Sequence, residues 1–132
     1  MLIYLDTNIV IYAVENPAVF GPRAEARLRA ISTADRVALS ELTRTECGSY
    51  PLRHSNFALL RLYDGFFVRP DVMILPISTN VFRRATLIQA MHDFGTVDAL
   101  HLATAVENGC QAFLTNDSRL SNFTDLTVEI LR

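Results

Sequence analysis

The sequence contains no lysine, and all 12 of its basic residues are arginine. This absence excludes mechanisms that depend on a lysine amine as nucleophile or phosphate ligand. A GC-rich coding preference is sufficient to explain it. Arginine nevertheless presents a planar fork of donors that suits phosphate, so the same composition is compatible with a phosphate-bearing substrate.

Cysteine is scarce, and long uncharged runs are absent. Cys47 and Cys110 have no metal-binding spacing and no partner nearby in sequence, which predicts reduced core residues of a cytosolic protein. The apolar start of the chain has no basic leader and is interrupted by Asp6, so we expect no signal peptide. No uncharged stretch is long enough to cross a membrane. We therefore expect a soluble, cytoplasmic protein.

The remaining composition indicates one globular domain over residues 1–132, with 50% hydrophobic and 20% charged residues. Short apolar strands alternate with helical patterns, which predicts a three-layer α/β fold with a parallel sheet of about five strands. The predicted strands are Ile3–Leu5, Arg36–Ser40, Val72–Leu75, Ala112–Thr115 and Val128–Leu131. The predicted helices are Asn8–Glu15, Pro22–Ile31, Glu41–Tyr50 ended by Pro51, Asn56–Phe67, Ser78–His92, and one from an N-cap at Thr96 to a C-cap at Gly109.

Four carboxylates lie where such a sheet places its functional crevice, beyond the carboxyl ends of the strands. Asp6 follows the first strand, Asp117 follows the fourth, and Glu46 lies in the helix after the second. Asp98 lies in the first turn of the helix before the fourth strand and reaches the same edge if the preceding connection is short. Two carboxylates within 4 Å repel by about 4 kcal/mol at an effective dielectric of 20. A cluster of this kind requires a cation, and carboxylate oxygens suit Mg²⁺ or Mn²⁺.

Each carboxylate also has an ordinary structural explanation. Asp6 is suited to capping the next helix, Asp98 to complementing a helix dipole, and Asp117 to forming a turn. Glu46 is equally suited to a solvated helix face. Their coincidence at one edge of one predicted sheet is what favours a site. His101, one helical turn after Asp98, is suited to binding substrate or assisting the site, but a histidine among apolar helix residues is more often structural, so it is not assigned a catalytic role.

Four segments resemble, in order and spacing, the four acidic motifs of PIN-domain ribonucleases, and most closely those of VapC-type toxins. The segments are YLDTNIVIYA, ALSELTRTE, TVDALHLATA and FLTNDSRL, and they extend from Met1 to about Leu120. The resemblance implies a PIN-like α/β/α domain that hydrolyses RNA phosphodiesters with Mg²⁺, for which Mn²⁺ substitutes. It assigns the metal and catalytic site to Asp6, Glu46, Asp98 and Asp117, with supporting roles for Asn8, Ser40 and Thr115.

The resemblance also implies partners. VapC-type toxins act on RNA, are neutralised by a small antitoxin and commonly form homodimers. The apolar face of Phe57, Leu60, Tyr63 and Phe67 is the candidate antitoxin groove, with a core role expected for at least half of these residues. Setting aside the four site carboxylates leaves ten acidic residues against twelve arginines. The candidate phosphate contacts near the site are Arg44, Arg53, Arg61 and Arg119.

Two other functions are considered. Haloacid-dehalogenase-like phosphatases and receiver domains also place an aspartate after the first strand, but both commonly need a lysine. The position two residues after Asp6 is Asn8 rather than the acid that such phosphatases use. The second is a PIN-like binding module without catalysis, whose acids serve stability or dock an arginine of a partner. Metal-dependent turnover distinguishes it from the nuclease.

Overall fold

The protein has a five-stranded parallel sheet with helices on both faces, which confirms the predicted fold class. A computed structural model describes all 132 residues. The strands are β1 Leu2–Leu5, β2 Arg36–Ser40, β3 Val72–Leu75, β4 Ala112–Thr115 and β5 Thr127–Ile130. The helices are α1 Thr7–Glu15, α2 Phe20–Arg29, α3 Glu41–Arg53, α4 Phe57–Phe67, α5 Thr79–Met91 and α6 Thr96–Glu107, followed by a 3₁₀ helix, Ser118–Asn122.

Alternation along the strands divides the core between the two faces of the sheet. Ile3 and Leu5 of β1 pack with α1 to α4 on one face. Tyr4, between them, packs with α5 and α6 on the other face. None of the six helices combines the length and apolar character that a membrane crossing requires.

Several predicted helix ends differ from the observed ones. Helix α3 was expected to end before Pro51, but it continues through Pro51 to Arg53. The φ angle that the proline ring imposes is compatible with a helix, although the ring removes one N–H donor, and Pro51 is buried in α3. Thr96 is the first residue of α6 rather than its cap, which is Gly95. The 3₁₀ helix after β4 was not predicted.

The C-terminus of α6 lies one residue earlier than predicted, because the cap is Asn108 and Gly109 is the next position. Gly109 adopts the left-handed conformation, with φ of 76°. Its N–H donates to the carbonyl of Val106, and the N–H of Cys110 donates to that of Ala105. This Schellman motif stops the helix and directs the chain into β4.

The strand order β3-β2-β1-β4-β5 places the topological switch between β1 and β4. From β1 the chain proceeds to β2 and β3 on one side, and it returns to β4 and β5 on the other. Connections after β1 and β4 therefore diverge and leave a crevice at the carboxyl ends of these two strands. Asp6 and Asp117 follow those two strand ends.

Candidate active site

Asp6 is held at the switch point by both of its carboxylate oxygens. Its backbone N–H continues the β1–β4 ladder by donating to the carbonyl of Leu114 at 2.9 Å. Oδ1 accepts the N–H of Thr7 at 2.8 Å, so Asp6 does cap α1. Oδ2 accepts the hydroxyl of Thr115 at 2.7 Å and the amide of Asn8 at 3.4 Å. Asp6 is only 7% exposed, and its carboxylate makes further hydrogen bonds besides the one that caps α1.

Asn8 and Thr115 join the loop after β1 to the loop after β4. The side-chain oxygen Oδ1 of Asn8 accepts a hydrogen bond from the backbone N–H of Asn116 at 3.2 Å. The hydroxyl oxygen of Thr115 accepts the backbone N–H of Asp117 at 3.0 Å. Both residues thus fix the position of Asp6 relative to Asp117.

Glu46 is bound on the α3 side of the site by two donors. The hydroxyl of Thr7 donates to Glu46 Oε1 at 2.6 Å. His101 Nε2 lies 2.5 Å from the same oxygen and 3.2 Å from the Thr7 hydroxyl. Since His101 is 1% exposed, this contact joins α6 to α3 through the interior of the protein.

A buried chain of hydrogen bonds continues behind His101. The Tyr4 hydroxyl lies 2.7 Å from His101 Nδ1 and 2.8 Å from the Ser40 hydroxyl. With the proton of His101 on Nε2, Ser40 donates to Tyr4, Tyr4 donates to His101, and His101 donates to Glu46. Ser40 therefore supports the site through Tyr4 and His101 rather than by facing the carboxylates.

Asp98 and Asp117 meet at the solvent-facing side, where Arg119 lies between them. Arg119 Nε donates to Asp117 Oδ1 at 3.0 Å, and Nη2 donates to Asp117 Oδ2 at 2.6 Å. The same Nη2 lies 3.5 Å from Asp98 Oδ2. The four-residue connection between α5 and α6 brings Asp98 to the same edge as Asp6, which meets the condition set by the sequence.

The acidic residues experience different electrostatic environments. Partial burial raises the pKa of Asp98, and the charges of Asp6 and Asp117 raise it further, against the opposing effect of Arg119. Burial also raises the pKa of Glu46, but the hydrogen bonds from His101 and Thr7 outweigh it, so the net pKa is lowered. The hydrogen bond from Arg119 lowers the pKa of Asp117.

The donor set fits a hard divalent cation, because the acidic side chains offer oxygen ligands and Asp98 is destabilised by its charged neighbours. The side chains nevertheless do not converge into a cage: no group of three or more His, Cys, Asp or Glu side chains is arranged to hold a metal ion. Two contacts instead engage three of the four carboxylates. Arg119 bridges Asp117 and Asp98, and Glu46 is bound to His101.

The other candidate phosphate contacts are less closely tied to the site. Arg44 pairs with Glu41 at 3.0 Å and lies 4.5 Å from the ring centroid of Phe67. Arg53 and Arg61 are exposed on α3 and α4. Of the four arginines proposed from the sequence, Arg119 is the one that contacts the site carboxylates.

Sequence reasoning missed three contributors to the site, Thr7, Tyr4 and His101. Thr7 is the middle residue of the Asp-Thr-Asn segment, and its position directly after Asp6 is a signal for a role beside that carboxylate. His101 follows Asp98 by three residues and therefore lies on the same side of α6, but its apolar neighbours suggested a core role. Tyr4 gave no signal beyond being a polar tip in an apolar strand.

Comparison with known proteins places this architecture in a family. The sequence matches the family model for the PIN domain over residues 3–126. A comparison with curated protein sequences finds no significant match.

Solved structures share the fold across almost the full chain. VapBC2 from Rickettsia felis, bound to a DNA fragment from its promoter, matches with a TM-score of 0.77 at 17% identity and covers 100% of both chains. DNA-bound VapBC from Salmonella typhimurium matches with a TM-score of 0.77 at 21% identity and 98% coverage of each chain. VapC20 from Mycobacterium tuberculosis matches with a TM-score of 0.70 at 15% identity, over 84% of this chain and 86% of that one. With its family-model match, its parallel sheet and its acidic crevice, the chain belongs to the PIN domain family.

Proposed function

We propose that residues 1–132 form one divalent-metal-dependent endoribonuclease domain that acts as the toxin of a toxin–antitoxin pair. The observation that carries the proposal is the arrangement of Asp6, Asp98 and Asp117 at the switch point. Asp98 has a raised pKa there because burial and two neighbouring carboxylates act on it together. A protein retains such repulsion where a cation or a charged transition state relieves it.

In this proposal Asp6 and Asp98 anchor a divalent cation, Mg²⁺ with Mn²⁺ as its substitute, and Asp117 completes the set. A bound cation would lower the pKa of water and offset negative charge on the phosphate. Thr115 and Asn8 hold Asp6 in a fixed orientation through Oδ2. Glu46, whose Oε1 already accepts from Thr7 and His101, orients or deprotonates the attacking water with its second oxygen.

The structural neighbours support the toxin assignment. Those from Rickettsia felis and Salmonella typhimurium are VapBC complexes. VapC20 from Mycobacterium tuberculosis is described as a Sarcin-Ricin loop cleaving toxin, which supports RNA as the substrate class. The same complexes support a cognate antitoxin as partner. From the family resemblance we also propose a homodimer as the assembly, and we propose the cytoplasm as the place of action.

Fewer residues of α4 are accessible for the proposed antitoxin groove than the sequence indicated. Tyr63 and Phe67 are 2% and 3% exposed and belong to the core, as expected for half of that set. Phe57 is 57% exposed, and a neighbouring residue of α4, Leu62, is 60% exposed. Leu60 is partly buried, with its Cδ1 facing Gly48 of α3. We therefore propose the antitoxin contact at the surface between α3 and α4.

Replacing Leu60 with a charged residue tests this groove. In Leu60→Glu we expect affinity for the cognate antitoxin to fall at least about tenfold, because the proposed apolar contact with the antitoxin is replaced by a charge. RNA cleavage should persist, since Leu60 lies outside the acidic site. Isothermal titration calorimetry measures the affinity, and Leu87→Glu on α5 is the matched control. Unchanged affinity in Leu60→Glu would rule out the groove.

The nuclease itself is tested by cleavage of a mixed tRNA and rRNA pool with purified, partner-free protein. Reactions contain Mg²⁺, Mn²⁺ or EDTA, and Asp6→Asn and Asp98→Asn serve as paired variants. Discrete fragments that require metal and disappear in both variants support the proposal, and their ends identify the target. A folded protein that binds metal and cleaves nothing would favour the binding module instead. Cleavage that survives both substitutions would point to a contaminating ribonuclease.

A further inference from the structure

Arg119 brings a positive charge to two carboxylates at the solvent-facing side of the acidic site. Its guanidinium makes a two-pronged contact with Asp117 and reaches Asp98 at 3.5 Å. These two residues belong to the proposed metal-binding set. The arginine and a divalent cation therefore require the same carboxylate oxygens.

The contact is built to be reversible. The Arg119 side chain is 64% exposed, whereas those of Asp98 and Asp117 are 27% and 25% exposed. Exposed ion pairs contribute little free energy, since water competes for both partners. A divalent cation would bring twice the charge of the guanidinium to these oxygens.

Arg119 would also remain close to the site after its side chain leaves the two carboxylates. It lies in the 3₁₀ helix that begins directly after Asp117, so its backbone stays beside the site when the side chain moves. A free guanidinium at the edge of a metal site is a suitable ligand for a phosphate of a bound nucleic acid. The other three candidate arginines make no contact with Asp98 or Asp117.

From these contacts we propose that Arg119 is an internal counter-ion that competes with the divalent cation for Asp98 and Asp117, and that its displacement frees it to bind an RNA phosphate. The inference rests on the proposed nuclease function and adds a substrate-binding residue to it. Metal binding and RNA binding are then coupled, because the ion releases the residue that contacts the substrate.

Metal affinity tests the competition directly, without relying on cleavage. Mn²⁺ is titrated into the full chain and free Mn²⁺ is measured by electron paramagnetic resonance. In Arg119→Gln we expect the dissociation constant to fall about two- to fivefold, the effect of removing one exposed competing ion pair. Arg83→Gln is the matched control, because Arg83 is exposed on α5 away from the acidic site.

RNA affinity tests the second half of the proposal. A fluorescein-labelled single-stranded RNA is titrated in Ca²⁺ and in EDTA, with anisotropy as the readout and gel analysis to verify that it stays intact. In Ca²⁺ we expect Arg119→Gln to weaken binding and to reduce the slope of log affinity against log salt by about 0.7, the value for one phosphate contact on a single strand. In EDTA, Arg119 is held by Asp117 and the variant should match Arg83→Gln.

The outcomes distinguish this inference from the function beneath it. Equal Mn²⁺ affinity in wild type and Arg119→Gln would overturn the competition while leaving the metal site intact. Equal losses of RNA binding in Ca²⁺ and EDTA would overturn release by metal. Absence of Mn²⁺ binding in every variant would overturn both the inference and the proposed metal site.

Discussion

The two halves of the acidic site differ in how far the protein itself stabilises their charged carboxylates. In the glutamate half, Glu46 accepts hydrogen bonds from Thr7 and His101, and these lower its pKa despite partial burial. In the aspartate half, formed by Asp6, Asp98 and Asp117, burial and mutual repulsion raise the pKa of Asp98. The glutamate half is complete within the protein. In the aspartate half, Arg119 offsets only part of the repulsion at Asp98, and this is the half that a cation would stabilise.

The largest expected effect follows from neutralising Asp98, whose carboxylate is repelled by Asp6 and Asp117. In Asp98→Asn we expect RNA cleavage to fall at least about 100-fold, because a proposed metal ligand is lost. In EDTA the same variant should melt roughly 1–3 °C higher than wild type, because the repulsion is relieved. Cleavage assays and differential scanning calorimetry measure the two effects.

A matched control for that variant is Asp71→Asn. Asp71 forms an exposed ion pair with Arg69 just before β3, away from the carboxyl ends of the strands. Its loss should leave cleavage unchanged and should not raise the melting temperature. If Asp98→Asn lowered stability in EDTA, the view of this half as electrostatically strained would be wrong.

A smaller effect is expected from disrupting the glutamate half. His101→Phe removes the donor to Glu46 and leaves the Tyr4 hydroxyl without its acceptor. We expect a loss of about 1–3 kcal/mol in the free energy of unfolding and about a tenfold fall in cleavage. Urea unfolding and cleavage assays give both values.

Tyr4→Phe separates the two roles of His101. It removes the hydrogen bond behind His101 but leaves the bond to Glu46 in place. We expect about 1 kcal/mol of lost stability with cleavage close to wild type. Equal losses of cleavage in Tyr4→Phe and His101→Phe would show that the whole buried chain, rather than the Glu46 contact, governs activity.

The smallest effect is a difference in pH dependence between the two halves. Glu46 has a lowered pKa, so its contribution to stability is present above its ordinary pKa and is lost as pH falls through the lowered value. Asp98 has a raised pKa, so its protonated form adds stability at low pH, and that gain disappears as pH rises through the raised value. Near neutral pH, Glu46→Gln should therefore destabilise the metal-free protein, and Asp98→Asn should stabilise it. Both differences should shrink below about pH 4, as urea unfolding at a series of pH values would show. Two differences of the same sign at neutral pH would contradict the comparison.

The sequence predicted the sheet because its strands are short apolar runs between helical patterns, and those signals are local. It also placed Asp6 and Asp117 at one edge, because parallel strands share a carboxyl end. The partition of the site into two halves depends on contacts between residues far apart in sequence. The His101–Glu46 bond spans 55 positions, and no local pattern encodes it. The predicted end of α3 at Pro51 is wrong for a similar reason. The burial of Pro51 within α3 is a tertiary feature, which no local pattern encodes.

The contact between Thr115 and Asp6 joins residues 109 positions apart, and it has a consequence for synthesis. A ribosome synthesises Asp6 early, and Thr115 follows it by 109 positions. Until β4 has been made, β1 can pair only with β2, and Asp6 lacks the Thr115 hydroxyl that binds its Oδ2. If the proposed function holds, a chain truncated before β4 has no complete acidic site and is harmless.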